Sequence, residues 1–360
     1  MTDPNKLEAT PASFEAHLSE SNDAVAVFEN KRKSPLNRLQ RFLHSNPTMV
    51  PFIVLAASVI VFSVVAGGKF FQSFNLSLIL QQVTIIGIIG IAQTIVILTA
   101  GIDLSVGAIM VLTSTMMGRL AIVAGLPPEL AFVIGLAGGL LCGMINGVLV
   151  TYVRLPPFIV TLGSWSVFGA LNLWYSGSQT IRGQEVAEAA PILQWMGAAV
   201  QIGGARITMG TVLMLGLAAG AWYVLNRTAF GRHVYATGDD PDAARLAGIN
   251  TRRVLLAVYG CAGLISAIGA WALIGRVGAI SPTSGSTANL DSITATVIGG
   301  TSLFGGRGTI VGTLIGALIV GVFRNGLALA GLDALWQEFS VGILIVAAVG
   351  VDQWIRRVAA

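Results

Sequence analysis

Residues 70–102 read FFQSFNLSLILQQVTIIGIIGIAQTIVILTAGI, 33 positions without a single Asp, Glu, Lys or Arg. A helix crossing about 30 Å of hydrocarbon needs about 20 residues at 1.5 Å each. This run is long enough to span a bilayer by itself. Comparable charge-free stretches extend from Phe42 to Gly68, Leu130 to Val153, Leu155 to Ile181, Ile207 to Asn226 and Val254 to Gly275. Less regular candidates are Leu104 to Gly125, interrupted by Arg119, Asp291 to Phe304, Thr309 to Ala330, interrupted by Arg324, and Glu338 to Trp354.

The composition agrees with that reading. Of 360 residues, 54% are hydrophobic and only 11% charged, whereas a soluble domain carries about a quarter charged residues to solvate its surface. Twelve of the 38 charges fall in the first 45 residues and eight lie between Arg227 and Arg253. A soluble enzyme, a nucleic-acid binder and a disordered chain are excluded, because the basic residues flank apolar runs and do not form a basic face. The expected fold class is an all-α polytopic membrane protein with about ten transmembrane helices, some short or broken. Residues 1–45 hold Pro4, Pro11 and six acidic residues and lack the apolar core of a signal peptide, so they are expected to be a disordered cytoplasmic tail. Residues 46–360 then form the membrane domain.

Lys and Arg favour the cytoplasmic side, which fixes the parity of the spans. Three clusters count here: Lys31 to Arg41 in the tail, Arg227 to Arg253 in the middle, and Arg356 with Arg357 at the end. Placing all three inside requires six spans before Arg227 and an even number after Arg253. The run from Asp291 to Phe304 must therefore cross as well, as a broken helix embedded in protein or as a re-entrant one. Both termini are expected in the cytoplasm. The segment from Gly177 to Arg206, with a short helix after Pro191, falls on the opposite side together with Lys69, Arg119 and Arg276. The 44 glycines exceed the usual share of about 7%. The spacings Gly135, Gly139, Gly143, Gly147 and Gly308, Gly312, Gly316 are those that let helices pack closely in lipid.

Three places can carry chemistry. In TAGIDLSVG, residues 99–107, Asp103 and Ser105 sit between two apolar runs; Asp103 can cap the next helix through the Ser105 or Val106 amide, or face a cavity. IGGTSLFGGRG, residues 298–308, is a similar Gly-rich break, and Asp291 precedes it. Asp103, Ser105 and Asp291 are the candidate pathway residues, since transporters commonly build sites from broken helices. The central loop, 227–253, is the most specific feature. Asp240 is a suitable N-cap, Pro241 a first helical residue, Asp242 and Arg245 complement the dipole, and Gly248 supplies a left-handed C-cap. A two-turn helix over 241–247 is expected, too short to be stable without docking. The chain has no G-x-x-x-x-G-K-[ST] phosphate loop, its three histidines form no metal set, and Cys142 and Cys261 lie in apolar runs. Neither catalytic nor metal residues are assigned.

Four segments carry a resemblance: Leu98 to Ala108, Phe230 to Gly238, Ala243 to Ile249 and Val297 to Gly306. With them the chain resembles the permease subunits of bacterial ATP-driven monosaccharide importers, the ribose, xylose, arabinose and fructose class. The resemblance implies a permease of the bacterial inner membrane that is not itself an enzyme and binds no cofactor. It implies a second permease copy, a cytoplasmic ATPase that uses ATP and Mg, and a periplasmic sugar-binding protein; nucleic acid is no partner. It also implies that Pro241 to Ala247, capped by Asp240, is a coupling helix seated in the ATPase, with Ala243, Ala244 and Gly248 permitting close docking. Two other readings stay open. One is a branched-chain amino-acid importer permease; the other is an ion-coupled secondary transporter, which usually buries more ionisable groups than Asp103, Asp291 and Arg324.

Overall fold

A computed structural model describes residues 49–285 and 287–356. The expected tail, residues 1–45, and Arg357 lie outside the described residues. Helix α1 spans Met49–Ala66, α2 Ser73–Ile97, α3 Val106–Gly118, α4 Pro128–Thr151 and α5 Pro157–Ser176. A π-helical turn, Arg119–Val123, extends α3. Two short helices follow, α6 at Gly183–Ala189 and α7 at Pro191–Gln194. The second half contains α8 at Met209–Arg227, α9 at Ala229–Asp239, α10 at Pro241–Leu246 and α11 at Thr251–Val277. It ends with α12 at Ala288–Ile298, α13 at Ile310–Leu329 and α14 at Ala334–Arg356. Prolines open α4, α5, α7 and α10, where a missing amide costs no hydrogen bond. Left-handed Gly177 and Gly278 close α5 and α11.

Among the described residues, eight helices are long and apolar enough to cross a membrane: α1, α2, α3 with its π turn, α4, α5, α8, α11 and α13. The remaining two expected spans correspond to α14, 23 residues long, and α12, which has only 11. Eleven residues reach about 16 Å, half a bilayer. The structure shifts this span relative to the apolar run expected from Asp291 to Phe304. The helix begins at Ala288 and stops at Ile298, because Gly299 packs directly on the Gly312 backbone and Gly300 adopts φ +87°. The helix is preceded by the non-helical stretch 279–285, whose polar residues no hydropathy count would include.

Helices α2 and α11 form the centre. The buried face of α2 carries Ile88, Ile89, Ile91, Ala92 and Val96, and that of α11 carries Val258, Tyr259, Ala262 and Ala270. Gly139 and Gly143 of α4 meet the backbone of Gly263 in α11, so a Cβ on any of the three would collide with main chain. Gly312 and Gly316 of α13 meet Gly299 and Ala295 in the same way. Van der Waals contact at backbone range is what holds helices together where lipid supplies no hydrophobic drive. The outer faces of α1, α5 and α8 expose Phe52 and Val64, Val167 and Trp174, Leu215 and Tyr223.

The connections separate into two ends. At one, Thr161 donates to Ile102 O and Gly306 N to Leu98 O, gathering residues 98–105, the start of α5 and 299–309. At the other, Arg119 donates to Ser176 O, Ser73 to Gly203 O and Gln194 to Gly278 O. The short helix expected after Pro191 is present. An antiparallel hairpin, β1 Ala199–Ile202 and β2 Ala205–Thr208, is an addition to the all-α expectation. Gly203 and Gly204, both at positive φ, make its turn.

Candidate functional site

The Arg227 to Arg253 loop folds into two helices. Thr228 caps α9 by accepting from Gly231 N, and a Cβ at Gly231 would strike the Leu225 carbonyl. Asp240 caps α10, its Oδ1 accepting from the amides of Asp242 (2.9 Å) and Ala243 (3.0 Å). Arg245 pairs with Asp242 at 2.9 Å and donates through Nε to Thr251 at 3.1 Å, tying α10 to the start of α11. Gly248, at φ +84°, turns the chain into that start. The helix ends at Leu246, one residue short of the expected 247, with Ala247 as its cap.

The faces of α10 differ from expectation in one respect. Ala244 is 4% exposed and turned into its own chain, so it anchors α10 and offers nothing to a partner. Pro241, Asp242, Ala243, Ala247 and Gly248 are exposed, and Leu246 stands 92% exposed at the tip. Leu246 has the highest exposure of the large apolar side chains among the described residues.

The three punctuated segments of the sequence meet in one knot. The Gly238 Cα lies against Leu98 O and Gly306 N, leaving no room for a side chain. Gly305, at φ +85°, lies against Ala100 and Gly238 O. Tyr235 donates from Oη to Gly308 O at 2.9 Å; burial pushes its phenol above the ordinary value, which keeps it a donor. The loop bearing α10 is thus fastened by backbone to both Gly-rich breaks.

Asp103 and Ser105 are wholly enclosed. Asp103 Oδ1 accepts from Ser105 N at 2.7 Å and from Ser105 Oγ at 2.6 Å. Asn146 of α4 donates to Ser105 Oγ at 2.8 Å, and Ser164 of α5 donates to Asn146 Oδ1 at 2.5 Å. Gln93 of α2, with its amide oriented to satisfy both atoms, donates to Asp103 O (2.9 Å) and accepts from Asp103 N (3.3 Å). Asp103 Oδ2 and the hydroxyl of Tyr259 are buried without a protein partner. Sequence reasoning found Asp103 and Ser105 but missed Gln93, Asn146 and Ser164. Their signal was available: amides inside otherwise apolar spans are costly unless they bond across helices.

Asp291 lies elsewhere, in the first turn of α12. Its Oδ1 receives Arg324 Nη2 at 2.7 Å and Nε at 3.2 Å, and its Oδ2 receives the Thr287 hydroxyl at 3.1 Å. The side chains of Asp291 and Arg324 are 8% and 19% exposed, so the interruption of the α13 run by Arg324 is explained by its partner. One position above Ala288, Asn289 Oδ1 accepts from Gly107 N at 2.5 Å. The first turns of α3 and of the short helix α12 therefore meet inside the bundle. Asp103 and Ser105 join this junction through the start of α3, whereas Asp291 faces α13. Among the described residues no group of His, Cys, Asp and Glu could hold a metal ion.

The family model described as branched-chain amino acid transport system / permease component matches residues 75–349. A fructose import permease protein of Rhizobium meliloti is 56% identical over 360 residues, covering 100% of both chains. A ribose import permease protein of Bacillus subtilis (strain 168) is 41% identical over 303 residues, 84% of this chain and 92% of the relative. A xylose transport system permease protein of Escherichia coli (strain K12) is 32% identical, with 85% and 92% covered.

Proposed function

The chain belongs to the carbohydrate permeases of the branched-chain amino acid transport system / permease component family, those of ATP-binding-cassette importers, and from that membership we propose that it forms the membrane route by which fructose enters a bacterial cell. It is a multi-pass permease of a sugar importer of the fructose, ribose and xylose type. As such it is a non-catalytic subunit that carries no cofactor, and it works with an ATPase and a sugar-binding protein.

The finer assignments are ours. Fructose is preferred because identity reaches 56% along the full length with a fructose permease, against 41% with a ribose permease and 32% with a xylose permease. That gradient is the observation on which the choice of sugar rests. The amino-acid reading is disfavoured because the relatives with these identities are named for sugars. The inner bacterial membrane is the assigned location, with both termini and the Asp240 end in the cytoplasm; the Arg227 to Arg253 charges support this orientation. Helix α10 and Gly248 are assigned to docking in the ATPase, with ATP and Mg used there, and a second copy of the chain completes the membrane part. Asp103 and Ser105, enclosed before α3, are assigned to bracing the wall of the route from within, and Asp291 to the same level of that wall at the start of α12.

Uptake of labelled sugars tests the choice of substrate. Cells lacking their own fructose uptake and supplied with the whole importer should accumulate fructose. Unlabelled fructose should compete better than ribose or xylose. Competition by ribose or xylose but not by fructose would transfer the assignment to that sugar, and competition only by branched-chain amino acids would end the sugar reading.

A further inference from the structure

After the end of α11, residues 279–285 run back along the bundle without forming a helix. Their path can be followed by their neighbours. Ile280 pairs with Ile181 and packs on Gly118, near the outer end of α3. Pro282 O then accepts from Asn172 at 2.8 Å, and Asn172 in turn accepts from Thr115 at 2.7 Å. Gly285 lies against Met110, and Asn289 reaches Gly107 in the first turn of α3. The stretch descends alongside α3 for about three turns, antiparallel to it, and arrives at middle depth.

This stretch is hydroxyl-rich where the bilayer would demand the opposite. Thr283 is exposed, and Ser281, Ser284 and Thr287 are partly exposed. The Ser281 and Thr283 hydroxyls lie 3.1 Å apart, and Thr287 leads to Asp291 and Arg324. Irregular backbone at membrane depth is tolerated only inside protein or beside water. Thr283, and in part Ser281, Ser284 and Thr287, are left uncovered by the described residues, which opens their hydroxyls to a water-filled route.

Resting on the sugar-permease reading above, we infer that residues 281–285, together with Thr287, form the middle wall of the sugar route. Thr283 and Ser284 exchange hydrogen bonds with the passing polyol, and the Asp291–Arg324 pair lies beneath them. A row of hydroxyls suits such a cargo: each is both donor and acceptor, so a sugar can leave one set of bonds for the next without a tightly bound state.

The test uses the complete importer with Cys142 and Cys261 replaced by alanine and a single new cysteine introduced in turn. Thr283→Cys and Ser284→Cys are close in size to the native residues, and Leu171→Cys, exposed beside Asn172 on α5, is the control at the same depth. A charged, membrane-impermeant thiol reagent needs a hydrated thiolate, so the two test positions should react at least about tenfold faster than the control. Modification at either should abolish fructose uptake while the ATPase still co-purifies. Equal rates at all three positions, or modification that leaves uptake intact, would overturn the inference. The native importer, with both cysteines in place, separates this from the broader reading. If it takes up no fructose, ribose or xylose, the sugar assignment has failed, while the labelling rates still report whether the stretch meets water.

Discussion

Asp103 acts through one oxygen. Its Oδ1 holds both the amide and the hydroxyl of Ser105, and the Ser105 hydroxyl is held in turn by Asn146. Replacing Asp103 with alanine strips a buried amide and a buried hydroxyl of their acceptor, at about 1–3 kcal/mol for each unsatisfied group. Asp103→Ala should therefore lower the Tm and yield of the purified permease, whereas Asp103→Asn, which keeps an acceptor at that place, should recover most of both. Wild-type Tm and yield in Asp103→Ala, combined with lost uptake, would make Asp103 a contact of the sugar and not a brace. The sequence allowed both roles. Local spacing exposed the Asp103–Ser105 turn because the two are neighbours, but it could not expose Asn146 or Gln93, which arrive from other helices. Arg324 was visible only as an interruption in α13, since its partner Asp291 lies 33 positions away.

At the scale of elements, α10 was the most legible part of the chain. Cap, proline, dipole charges and closing glycine are all local signals, and each is where the sequence put it. The direction of its faces was not legible, because that depends on how α9 and α11 seat it. The outcome moves attention from Ala244 to Leu246. Leu246→Asp should leave Tm within about 0.5 kcal/mol equivalent of wild type, as surface changes do, yet lower co-purification of the ATPase and sugar-stimulated ATP hydrolysis. Ala244→Trp, by contrast, should destabilise the permease itself through overpacking by about 1–3 kcal/mol. Unchanged ATPase binding and stimulation in Leu246→Asp would remove α10 as the docking element. Helix α12 was less legible. An apolar count favours 291–304, but the helix is set by tertiary contact of Gly299 with Gly312 and of Asn289 with Gly107.

Across the whole molecule, hydropathy and run length suffice to place the long helices, because bilayer thickness imposes length and backbone satisfaction imposes helix. They do not say which broken segments touch. The knot of Gly238, Leu98 and Gly306 joins the loop bearing α10 to both breaks, and the α3–α12 junction carries on toward the hydroxyl stretch. An ATPase docked on α10 would thus be mechanically continuous with the middle of the route. We propose that ATP hydrolysis, and not an ion gradient, drives transport, as the family membership implies. The decisive measurement is sugar accumulation in vesicles reconstituted with this permease, its ATPase and its sugar-binding protein, with proton and sodium gradients collapsed by ionophores. Accumulation that requires hydrolysable ATP and the binding protein, and persists without ion gradients, is the expected result. Accumulation driven by an imposed proton or sodium gradient in the absence of the ATPase would contradict the account.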